Sequence, residues 1–291
     1  MHKKSQEENV RRALGKGPVK VIAVASGKGG VGKTNVAANL AVALATRRRR
    51  VMLLDADLGL ANVDVLLGLQ PRFNLSHVIS GEADLESTVL EGPRGVRIVP
   101  ATSGNYLMTD IPPMSQAAIV QAFAGLGDQP DVLIVDTAAG ISASVARFVQ
   151  AAQQAIVVIC DEPSSITDAY ALLKVFSRHY DISRFQVLTN QTRDAAHGRS
   201  LFEKIRKVAD RYLDVVLRHV GNVPYDEYLR RAVQEQRAVV DAYPGSPAGE
   251  SFKRVAQTLD ELPAASAPGG GIEFFFEQLL HADTVCVGSM A

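Results

Sequence analysis

Short runs of apolar, β-branched residues recur along the chain without alternation, at Val21 to Ala25, Val51 to Leu54, Val96 to Val99, Val132 to Val135, Ile156 to Cys160, Phe185 to Leu188 and Val215 to Val220. Strands of that composition are buried on both faces. Between them lie stretches with helical spacing, such as Asn35 to Ala45, where Val36, Leu40 and Leu44 share a face. The alternation predicts an α/β fold: a doubly wound, mostly parallel sheet with helices on both faces and a ligand site at the carboxyl ends of the strands. From Glu227 to Leu262 the pattern is helical and is expected to cover the edge of the sheet. A polar arm, 1–18, precedes this domain of 19–262, with Gly15, Gly17 and Pro18 as a flexible link. Behind it a Pro/Ala/Gly-rich linker, 263–271, leads to 272–291, where Ile272, Phe275, Phe276, Leu279 and Leu280 repeat as an amphipathic helix before a frayed end.

The first strand stops at a glycine-rich turn, and Gly27, Gly32, Lys33 and Thr34 fit the phosphate-cradling pattern G-x-x-x-x-G-K-[ST]. Its glycines let backbone N–H groups of Gly27, Lys28, Gly29, Gly30, Val31 and Gly32 converge on phosphate oxygens. The helix that starts at Lys33, Thr34 and Asn35 adds its positive dipole end. Lys33 is placed to reach the β- and γ-phosphates and Thr34 to reach Mg²⁺. The second strand ends in Asp55-Ala56-Asp57, two carboxylates able to order metal waters and orient an attacking water, or else to stand solvated in a loop. Asp131 to Asp136 is a further apolar strand ending in an acid. Asp136 is expected to hold Mg²⁺ through water, and Thr137 to Gly140 to form a mobile loop of small side chains. After the Ile156 strand, Ser165 or Thr167 reads as a helix cap.

Composition narrows the picture. The 291 residues are 47% hydrophobic, enough for a large core. The 31 lysines and arginines balance 31 aspartates and glutamates, so no global field draws the chain to nucleic acid, and no direct nucleic-acid binding is expected. Arg47 to Arg50 form a local basic run, read here as solvated charges complementing a helix C-terminus rather than as a lipid or nucleic-acid patch. Cys160 and Cys286 make no disulfide framework, which fits a reducing cytoplasm. The C-terminal stripe carries Glu273 and Glu277 and no Lys or Arg, so it has no pull toward anionic lipid, and docking into a groove on its own or a partner's globular domain is expected as readily as lying on a membrane.

Lys28-Gly-Gly-Val-Gly-Lys33-Thr34 resembles the deviant P-loop of the MinD/ParA ATPases. Asp55-Ala-Asp57-Leu-Gly-Leu-Ala-Asn62-Val-Asp64 is similar to a second stretch of that family. The resemblance implies ATP and Mg²⁺ as cofactors and an ATP-dependent homodimer. Lys28 would reach the partner's nucleotide and Asn62 its surroundings, with Asp168 near that lysine, Asp57 positioning water, Asp136 and Asp55 at the metal, and slow, partner-modulated hydrolysis. Asn190 corresponds to an adenine-binding amide, and the backbone of Val223, Pro224 and Tyr225 to a wall beside the base. Within the family, Met52 to Gly68, Asp136 to Gly140, Cys160 to Tyr170 and Glu273 to Phe275 look most like the flagellar number regulators of the FlhG/FleN subgroup. That likeness implies restraint of a FleQ-type σ54-dependent activator, coupling to an FlhF-type GTPase, contact with flagellar switch components, and a cytoplasmic protein peripheral at the inner face of the membrane at the flagellated pole. Weak membrane association would run through the C-terminal helix. In the arm, Gln6 and Arg11 keep the subgroup's GTPase-stimulating pattern, whereas Ser5, Glu7 and Val10 depart from it. A MinD-like division-site regulator and an ATP-gated scaffold without turnover are the alternatives.

Overall fold

The computed structural model describes residues 19–57, 62–100, 120–126, 129–262 and 272–281. The N-terminal arm and the 263–271 linker lie outside them. Eight strands form one sheet: β1 (Lys20–Ser26), β2 (Val51–Ala56), β3 (Leu90–Glu91), β4 (Arg97–Val99), β5 (Val132–Ala139), β6 (Gln154–Ile159), β7 (Arg184–Thr192) and β8 (Val216–Pro224). Their order is β3-β4-β2-β5-β1-β6-β7-β8, and every pairing is parallel except β3 with β4. Each predicted strand is present. The short antiparallel β3 carried no apolar run to announce it.

Alternate residues of the central strands β1, β2, β5 and β6 enter opposite cores, which is why their apolar runs are continuous. In β1, Ile22 and Val24 pack on one face with α1 (Lys33–Thr46) and Val21, Ala23 and Ala25 on the other. The second face is covered by α2 (Ala143–Ala151), α3 (Pro163–Tyr180) and α4 (Ala195–Tyr212). After the short α5 (Glu227–Gln234) and α6 (Val239–Ala242), α7 (Pro247–Glu261) packs on both β8 and α1. It covers the edge strand β8, as expected, and also roofs the first face over α1. This changes α1 as well: Val36 to Leu44 are all buried, because the sheet lies below the helix and α6 and α7 lie above it. The single expected stripe is therefore one part of a helix buried all round.

The arginine run ties this roof down. Arg47 and Arg49 reach Asp260 at 3.4 and 2.9 Å, and Arg50 reaches Asp131 at 2.5 Å. Lys20 donates to the carbonyls of Leu259, Asp260 and Leu262 at 2.7–3.0 Å, capping the C-terminus of α7. The arginines begin at the C-cap of α1, beyond its last turn, and Arg47, Arg49 and Arg50 are ion-paired rather than simply solvated.

The last described helix, α8 (Ile272–His281), lies against α2. Ile272, Phe275, Phe276 and Leu279 are buried in the second-face core, and Phe276 stacks on Phe123 with ring centroids 3.8 Å apart. The side chain of Leu280 lies outside the described residues. Four such side chains stabilise docking by about 1.5–3 kcal/mol each. Freeing the helix therefore requires a comparable apolar surface elsewhere. Among the described residues, no helix is long and apolar enough to cross a membrane.

Candidate nucleotide site

β1 lies between β5 and β6: the chain runs from β1 toward β2 on one side and later crosses from β5 to β6 on the other, a reversal that opens a crevice at the carboxyl ends of the strands. The glycine turn fills that crevice. Gly30 and Gly32 have φ of 81° and 87°, and Gly32 is the N-cap of α1. A Cβ on Gly32 would come 2.5 Å from Asn190 Nδ2, and one on Gly27 would collide with the backbone of Asp168. The turn is thus fitted closely to α3 and β7.

Lys33 points inward, 7% exposed, and its ammonium lies 2.5 Å from Oδ1 of the fully buried Asp136. Burial pushes the Asp136 carboxyl up, against the pull of Lys33 and the Thr34 hydroxyl. The other oxygen, Oδ2, is buried with no hydrogen-bond partner. A carboxylate with one hand on the P-loop lysine and one empty fits a residue that receives a metal-bound water. Thr34 and Asp136 would hold Mg²⁺ there, and the ion would neutralise phosphate charge.

Asp55 is placed otherwise. Its oxygens accept from the backbone N–H groups of Asp57, Asn62 and Val63 at 3.1–3.2 Å, so it clamps the loop that carries Asp57. Burial first, and then the neighbouring Asp136 charge, raise its pKa to about 7. The clamp is a second role beside the metal role expected for Asp55. Asp57 and Asn62 stand on the rim of a cavity of about 730 Å³ whose walls include Lys28, Gly29, Gly30, Lys33 and Thr34.

Within one chain Lys28 does not point outward. Its ammonium pairs with Glu162 and Ser164 Oγ at the start of α3, the latter at 2.8 Å, and the Glu162 hydrogen bond raises its pKa. Glu162 and Ser164 escaped the sequence reading because nothing local links them to the P-loop. Asp168 is half-buried nearby. Neither Ser165 nor Thr167 caps α3. Ser165 Oγ accepts from the N–H of Cys160 at the end of β6, and Thr167 Oγ1 donates back to the Pro163 carbonyl. The loop expected at Thr137 to Gly140 is also corrected: β5 runs on to Ala139, and buried Thr137 donates to the Val24 carbonyl at 3.0 Å.

A second cavity of about 460 Å³, continuous with the first at Gly32 and Asn35, is walled by Asn190, Pro224, Tyr225, Leu229, Arg230 and Val233. Asn190 donates to the Val31 carbonyl at 2.8 Å, and its Oδ1 is a buried acceptor without a partner. That arrangement suits a base carrying an amino group. Val223 does not line this wall: its side chain is 0% exposed in the core, leaving Pro224 and Tyr225 as the wall.

A parallel sheet with a deviant P-loop, a buried lysine–aspartate pair and a base-sized cavity beside it defines a P-loop NTPase. The model of the ParA family, described as NUBPL iron-transfer P-loop NTPase, matches residues 18–260, and the chain belongs to this MinD/ParA family. It is 57% identical over 264 residues to the antiactivator FleN of Pseudomonas aeruginosa, covering 91% of this chain and 94% of that one. It is also 34% identical to the flagellum site-determining protein YlxH of Helicobacter pylori, over 91% of each chain. The septum site-determining protein MinD of Pyrococcus horikoshii, solved with Mg-ADP, superposes with a TM-score of 0.63 at 26% identity, over 84% of this chain and 96% of that one.

Proposed function

We propose that this chain is an ATPase whose ATP-bound form dimerises, and that it limits flagellar number by restraining a FleQ-type σ54-dependent activator while coupling to an FlhF-type GTPase. The 57% identity to an antiactivator across 91% of the chain carries the reading. The site supplies a mechanism for it. Lys33, paired with Asp136 in the single chain, turns its ammonium to the phosphates when nucleotide binds. Thr34 and Asp136 would then hold Mg²⁺, which would supply charge neutralisation at the phosphates. Asp57, on the loop clamped by Asp55, orients the attacking water. Lys28 leaves Glu162 for the nucleotide of a second copy, so that the γ-phosphate gives the dimer contacts it lacks after hydrolysis. The C-terminal helix, buried in the single chain, would meet a membrane weakly and only in the dimer, where two stripes act together.

Two measurements test this. Sedimentation should show a dimer with ATP and a monomer with ADP, while Lys28→Ala binds ATP and stays monomeric; a dimeric Lys28→Ala with ATP removes the trans role. A deletion strain should carry supernumerary flagella. Minicells at normal flagellar number would instead favour the division-site reading.

A further inference from the structure

Asn39 stands in the middle of α1, 1% exposed, among alanines, valines and leucines that fill the core. A buried amide in such a place costs free energy unless its bonds are used. They are used in one direction only. The backbone N–H of Val240 in α6 donates to Asn39 Oδ1 at 3.2 Å, and because an N–H can only donate, the orientation of the amide is fixed. Asn39 Nδ2 therefore faces Asn35, giving its hydrogens to Asn35 Oδ1 at 2.6 Å and to the Asn35 carbonyl at 2.9 Å. With its own Oδ1 held inward, Asn35 is left with Nδ2 as its outward group. Asn35 lines both halves of the cavity, one residue beyond Thr34 and opposite Asn190.

We propose that Asn39 is a positioning residue for the nucleotide: by holding Asn35 Oδ1 it turns an N–H donor toward the phosphate oxygen nearest the ribose, and it ties that donor to the backbone of α6. This rests on the nucleotide reading above and adds to it a residue that touches no ligand. The chain of bonds runs from Val240 through Asn39 to Asn35, so a shift of α6 turns the donor away without moving the P-loop. α6 is itself braced at the surface, where Asp241 pairs with Arg94 and Arg237 at 2.8 and 2.7 Å.

Asn39→Asp tests the idea because it keeps an acceptor for Val240 and removes the donor to Asn35. The Asn35 amide must then turn its NH₂ inward and present an oxygen to the phosphate. Titration calorimetry with Mg-ADP should show affinity lowered about tenfold or more. In an Asn35→Ala background the same change should alter affinity less than about twofold, because no amide is left to turn. Unchanged affinity in Asn39→Asp overturns the proposal, and so does an equal loss in both backgrounds, which would mark Asn39 as a packing residue. Ligand-free melting separates folding from binding. If Asn39→Asp does not fold, Asn39→Leu takes its place, with a smaller loss expected in the Asn35 background and none in Asn35→Ala. Failure of the wild-type protein to bind Mg-ADP at all would sink the nucleotide reading instead.

Discussion

Asp55, one residue from the end of β2, and Asp136, inside the longer β5, are register partners across the β2–β5 pairing and are both buried. Three backbone N–H groups from its own following loop meet Asp55, whereas Asp136 meets the side chains of Lys33 and Thr34 and keeps one buried oxygen without a hydrogen-bond partner among the described residues. Local donors that cannot leave make the first carboxyl a fastener. A side-chain ammonium, which a ligand can draw away, and an unfilled acceptor suit the second to binding. Two acids with the same strand-end signature are thus separated by what their neighbours can still give up.

The largest effect expected on this contrast comes from Lys33→Ala, which strands the Asp136 charge. Removing one partner of a buried ion pair costs about 3–5 kcal/mol, to be read from denaturant unfolding at neutral pH. Because burial already pushes Asp136 up, the variant should regain stability as the pH falls and the carboxyl takes a proton. It should also bind no Mg-ATP. Wild-type affinity in Lys33→Ala would show that the buried pair is a fastener like Asp55.

Clamp and site differed in how far the sequence disclosed them. The P-loop, the strand-end acids and the strand sequence were legible because each depends on a local pattern: glycines at fixed spacing, or apolar runs the length of a strand. Partnerships across the fold were not. Lys28 turning to Glu162, Ser165 fastening Cys160 and Thr137 held to Val24 depend on residues 134, 5 and 113 positions away, and Val223 sinks into a core that includes Ile22 and Val24 from the far end of the chain. A signal for Asn39 did exist, since an asparagine in an otherwise apolar helix asks for a partner, but the partner Val240 lies 201 residues on.

The next test concerns pH and Asp55. Its folded pKa of about 7 lies above the usual carboxylate value of 3.8, so between those limits the folded state binds more protons than the unfolded one. Stability from this group is therefore full at low pH and is lost as the pH rises toward 7, by up to about 4 kcal/mol at roughly 1.4 kcal/mol per unit. The slope should appear as the difference between wild type and Asp55→Asn, measured without metal or nucleotide. Identical pH profiles would mean that the three N–H groups outweigh burial and hold Asp55 ionised throughout.

The smallest effect on the fold, and the sharpest division between clamp and chemistry, is expected at Asp57. Its backbone N–H is part of the Asp55 clamp, while its half-exposed side chain stands at the rim of the phosphate cavity. Asp57→Ala keeps the N–H and loses the carboxylate, so unfolding free energy should change by less than about 0.5 kcal/mol. Mg-ATP should still bind, because Lys33, Thr34 and the glycine turn are untouched. Turnover should fall by about 100-fold or more, since a carboxylate that orients water acts on the transition state and not on the bound nucleotide. Single-turnover hydrolysis, read beside ATP affinity, measures the two separately. Wild-type turnover in this variant would move the water-positioning role off the clamped loop and reduce Asp55 to a stabiliser of a loop with no part in the reaction.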